Sequence, residues 1–135
     1  MMDEAMQIAR ELLADAPNDR ARQITFGLIS LNHGTARVNA RQMPRAIEIW
    51  EAAVPVLRPI ARDLAQARTV LGVMLMRLAD ICDRLGKKDA AFAWFDEAIA
   101  TTGMDSDQLA PYQSLVELLE REEFSSRLPP GHPDR

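Results

Sequence analysis

The sequence predicts an all-α fold, an antiparallel helix-turn-helix repeat stack of about six helices, and three observations carry that prediction. Apolar residues recur at helical spacing along nearly the whole chain, and no stretch alternates apolar with polar as a half-buried strand would. Glycine and proline are sparse inside the longer periodic stretches. A small–ring–small pattern also recurs: Ala46, Trp50 and Ala53 return 45 residues later as Ala91, Phe95 and Ala98. The composition agrees, with 47% hydrophobic residues, mostly Ala, Leu, Ile and Met, and only 5% aromatics.

Met6, Ile8, Ala9, Leu12 and Leu13 predict a first helix over 3–15, stopped by Pro17. A second, over 19–41, carries Ile24, Phe26, Leu28, Ile29, Leu31 and Val38, and holds Gly34, whose cost in a helix close backbone contact with the following helix would offset. Pro44 sits in the first turn of a third helix whose apolar face is Ala46, Ile47, Ile49, Trp50, Ala53 and Val54. Pro55 and Pro59 each lack an N–H and crowd the preceding turn, so a break is expected between Val54 and Pro59. From Pro59 the series Ile60, Leu64, Ala67, Leu71, Met74, Leu78, Ile81 and Leu85 keeps helical period until Gly86 closes a long fourth helix. A fifth is expected over 88–102, ended by Gly103, and a sixth over 106–124 behind a Ser106 or Asp107 cap. The helical domain thus spans 1–124, and residues 125–135, with three prolines, a glycine and no apolar period, are expected to be a disordered tail.

Several functions are poorly served by this composition. A net charge of −4 offers no basic footprint for a nucleic-acid backbone. No run approaches the roughly 18 apolar residues of a membrane span, and the acidic start Met1-Met2-Asp3-Glu4 lacks the positive charge of a secretory signal; the expected location is cytoplasmic. Cys82 is the single cysteine, and the two histidines, His33 and His132, lie at no metal-ligand spacing. With no phosphate-binding loop, nucleophile elbow or HExxH motif, we expect no catalytic residues, no metal and no cofactor.

The stretch "LMRLADICDRLGKKDAAFAWFDEAIATTG", with Leu78 and Ala79 on one helix, Gly86 at the turn and Ala91, Phe95 and Ala98 on the next, resembles the tetratricopeptide repeat family. "SLNHGTARVNARQMPRAIEIWEAAV" is similar more loosely, with Gly34 at the small position, Arg41 where the turn glycine would stand, and Trp50 as the ring. Cys82 replaces the family's tyrosine and Gly103 its proline, and the marker alanines Ala5, Ala46 and Ala91 lie 41 and 45 residues apart against the usual ~34.

The resemblance implies a non-catalytic scaffold that binds an extended peptide or protein along a concave face. Carried onto this sequence, that face comprises Leu31, Thr35, Val38 and Asn39 on the second helix and Val73, Met76, Asp80, Asp83 and Arg84 on the fourth. Asp80 and Asp83 occupy much of it, so a partner with Lys or Arg is expected rather than a bound C-terminal carboxylate. Trp94, rotated about 100° from Phe95, is the ring left over for an interface. A second expectation is that the chain is the end of a larger repeat array, serving self-association as a homo-oligomer or docking of a linked enzyme domain.

Overall fold

A computed structural model describes residues 2–103, which form five helices: α1 (Met2–Asp15), α2 (Arg20–Asn39), α3 (Met43–Ala61), α4 (Ala65–Arg84) and α5 (Lys88–Thr102). No strand occurs among the described residues, so the fold class is all-α. The expected sixth helix and the tail lie outside the described residues. The chain divides after Leu75, inside α4, into two compact units.

In the first unit α2 packs against both α1 and α3. Asp19 caps α2, its carboxylate accepting the Arg22 backbone N–H at 3.0 Å, while the Arg22 side chain donates to the Leu12 carbonyl at the end of α1 at 2.8 Å. The buried stripe of α2 is Phe26, Gly27, Ser30, His33 and Gly34. Gly34 is needed because Trp50 of α3 lies directly on it: a Cβ there would sit 2.1 Å from the indole nitrogen. It is a ring, rather than the neighbouring backbone, that takes the space expected beside Gly34. The Trp50 N–H donates to the Leu31 carbonyl at 3.4 Å, which gives the buried indole its polar partner.

Helix α3 does not break between Val54 and Pro59; it runs on to Ala61 with both prolines inside it. Pro55 and Pro59 stand one turn apart on the exposed side. The carbonyls they orphan belong to Glu51 and Pro55, exposed residues on that same side, while Ala53, Val54, Leu57, Ile60 and Ala61 hold the opposite stripe in the core. The break comes at Arg62–Leu64, so Ile60 belongs to α3 and α4 starts at Ala65 rather than Pro59. No glycine or proline marks this turn. Arg68, from the first turn of α4, reaches back to donate to the carbonyls of Ala61 (3.1 Å) and Arg62 (3.4 Å), capping α3 from the next element.

The α2–α3 and α4–α5 turns repeat each other bond for bond. The N–H groups of Ala40, Arg41 and Gln42 donate to the carbonyls of Ala36, Val38 and Arg37; those of Leu85, Gly86 and Lys87, 45 residues later, donate to Ile81, Asp83 and Cys82. Both turns place a left-handed residue at the same point, Arg41 with φ 62° and Gly86 with φ 78°. In α5, Ala91, Phe92, Phe95 and Ala98 are buried, and Gly103 ends the helix in the left-handed conformation.

Candidate functional site

The residues expected to form a partner surface lie in both units, those of α2 and Val73 in the first and the rest in the second. On α2, Leu31, Thr35 and Val38 are half-buried and Asn39 is exposed. At spacings of four, seven and eight they share one side of the helix, along the flank of its buried stripe. The Thr35 hydroxyl donates to the Leu31 carbonyl at 2.9 Å, the same oxygen that accepts the Trp50 indole N–H. Val73, on the part of α4 in the first unit, is half-buried.

On the remainder of α4, Asp80 and Asp83 are half-buried and Arg84 is exposed. Met76 is a correction: expected on this surface because it lies off the Leu71–Met74–Leu78 line, it is completely buried. Met74, Leu75 and Met76 are consecutive and all 0% exposed, and three successive helical residues span about 200° of the helix surface, so α4 is enclosed on more than one side at this level. Arg84 pairs with Asp80 at 3.0 Å across one turn. This leaves Asp83 as the acid of the set that takes part in no ion pair among the described residues. On α5, Trp94 is half-buried whereas Phe92 and Phe95 are each 1% exposed.

The first helix also departs from expectation. Among its described side chains Met6 and Ala9 are buried, and Leu12, expected on the apolar face, is 41% exposed along with Ile8 at 56%. Met6 receives the Ser30 hydroxyl on its sulfur at 3.9 Å, a contact between the buried sides of α1 and α2.

Chemically reactive groups are sparse. Cys82 is buried, and among the described residues no cluster of three or more His, Cys, Asp or Glu side chains is placed to hold a metal ion. No described helix is long and apolar enough to cross a membrane. His33 is buried and accepts the Arg37 Nε–H at 3.2 Å.

One feature of the structure had little trace in the sequence: an open cleft at the α2–α3 turn, lined by Arg37, Gln42, Pro44 and Arg45. Its signal, visible once the turn is known, is Arg41 standing where a turn glycine would be easier. Compared with descriptions of known protein families, with curated proteins and with solved structures, the chain matches none.

Proposed function

We propose that this chain is a non-catalytic, tetratricopeptide-like helical scaffold that binds a peptide or protein partner carrying lysine or arginine. The observation that supports it is the 45-residue recurrence: the same turn hydrogen bonds at 40–42 and 85–87, and the same small–ring–small order after each. Repeats of this kind bury one face against their neighbours and leave the other for recognition. Leu31, Thr35, Val38 and Asn39 offer a mixed apolar and polar strip on α2, and on α4 Asp83 offers a half-buried carboxylate one turn from Asp80, which is held by Arg84. A half-buried carboxylate attracts an incoming cation more strongly than a fully solvated one, because screening is weaker there.

The test uses immobilised peptides rich in Lys and Arg. The wild-type chain should be retained, and Asp80→Lys combined with Asp83→Lys should lose that retention with its helical circular dichroism intact. Retention unchanged by the double substitution would remove the acidic pair from the reading.

The second reading, self-association or docking within a larger repeat array, is favoured by a different observation. Ile8 and Leu12 lie one turn apart on α1 and are both exposed. A rise in apparent mass with concentration would support it.

A further inference from the structure

We propose that the cleft at the α2–α3 turn is a binding site for an anionic group, a carboxylate or a phosphate. The cleft measures about 520 Å³, and among the described residues that line it Arg37 and Arg45 are arginines while none is acidic. In a chain of net charge −4 this is a local reversal of sign. The Arg37 guanidinium is fixed in place rather than swinging: Nε–H donates to His33 Nε2 at 3.2 Å and Nη1–H to Gln42 Oε1 at 2.9 Å. A guanidinium held as a planar fork matches the geometry of a carboxylate or phosphate and loses little further freedom on binding one.

Gln42 shows the same bias. It occupies the position that caps α3, yet its side chain makes no capping bond and holds Arg37 instead. Arg45 enters from the first turn of α3 and pairs with Glu48 at 3.1 Å; both side chains are more than half exposed, so this ion pair is weak and readily exchanged for a ligand's oxygens. Arg41, between them in the chain, adds a third guanidinium to the turn. A nucleic-acid backbone fits less well, since the overall negative charge opposes a long track of phosphates. The site is independent of the acidic pair on α4, and either can fail without the other.

The full chain, labelled with ¹⁵N, should be titrated at constant ionic strength with inorganic phosphate and, separately, with a short acetylated and amidated oligo-glutamate peptide. Saturable shifts at the Gln42 side-chain amide, the backbone N–H groups of Met43, Arg45 and Ala46, and Arg37 Nε are expected with at least one probe. Which probe binds tells a free anion from a protein-borne carboxylate. Arg45→Glu should weaken binding at least tenfold and Arg41→Gly several-fold, and Glu48→Gln, which removes the internal competitor, should tighten it. The Arg41 and Arg45 side chains are exposed, so circular dichroism should stay that of the wild type. The proposal is overturned if neither probe gives saturable shifts, if Arg45→Glu leaves the affinity unchanged, or if the same shifts appear equally at distant exposed arginines such as Arg10 and Arg62. A single-stranded oligonucleotide binding more tightly than either probe, with shifts spread beyond the cleft, would also overturn it.

Discussion

At Gly34 the difference between tolerance and disruption is a single methyl group. An added Cβ would meet the Trp50 ring at 2.1, 2.3 and 2.8 Å, and a buried indole that is only 1% exposed has nowhere to move. Gly34→Ala is therefore expected to destabilise the fold by about 1–3 kcal/mol despite alanine's better helix propensity. Gly27 is the control. The nearest neighbours of its added Cβ all belong to the Leu57 side chain, at 2.8–3.2 Å, and although Leu57 is itself fully buried, its two methyls can turn where the flat indole cannot. Gly27→Ala should accordingly be near neutral, the propensity gain of about 1 kcal/mol offsetting the adjustment. Urea denaturation of the two variants side by side checks this, and equal effects would contradict the difference drawn between ring and leucine. The Gly34 contact was legible in outline from a glycine inside a helical pattern. The identity of the neighbour was not, because Trp50 meets it only once two helices are placed together. Phe95 was legible too: it falls on the predicted interior position and is buried, so Phe95→Ala should cost about 3–5 kcal/mol.

Helix ends divide into those written locally and those imposed from elsewhere. Gly86 and Gly103 close α4 and α5 in the left-handed conformation, which the sequence announces. Arg41 does the same task for α2 with a side chain that must accept the left-handed penalty of about 1–2 kcal/mol. Arg41→Gly should raise stability by roughly 0.5–1 kcal/mol, the relief of that penalty less the greater unfolded-state freedom of glycine. The same substitution should weaken anion binding, so opposite effects on melting and on affinity would mark Arg41 as a residue kept for its charge. The end of α3 belongs to the second kind. Prolines at 55 and 59 suggest a stop that does not occur, because the carbonyls they orphan belong to exposed residues; the real stop at Arg62–Leu64 is held by Arg68 from the following helix. A hydrogen bond that crosses between elements has no local signature. Replacing Arg68 by Ala should remove both bonds and cost about 1.5–3 kcal/mol, the range for one charged donor, since the 3.4 Å bond to Arg62 is long and exposed and adds little; thermal unfolding measures it.

At the scale of the whole chain, periodicity revealed the all-α class and the 45-residue recurrence, but not which sides of the helices stay open. Met76 and Leu12 exchanged their expected places, one buried and one exposed, because one-dimensional spacing assigns a face only relative to neighbours whose positions it does not contain. That exchange bears on self-association. Burying a side chain such as Ile8 or Leu12 contributes about 1.5–3 kcal/mol, so a two-fold pairing of α1 with its copy, covering four of them, gains roughly 6–12 kcal/mol at most. Both side chains are already partly covered, at 56% and 41% exposure, so the realised gain lies toward the lower end. Association costs about 4–15 kcal/mol in lost freedom. The difference supports only a weak dimer, with Kd nearer 1 mM than 1 μM (about −4 against −8 kcal/mol). Sedimentation equilibrium should therefore report the 15.1 kDa monomer at low micromolar concentration and a rising apparent mass only toward about 1 mM. Ile8→Asp with Leu12→Asp should abolish that rise without loss of helix, since neither side chain is buried in the fold. A constant mass for the wild-type chain across the whole range, or a rise that survives both substitutions, would rule out the exposed face of α1 as the contact.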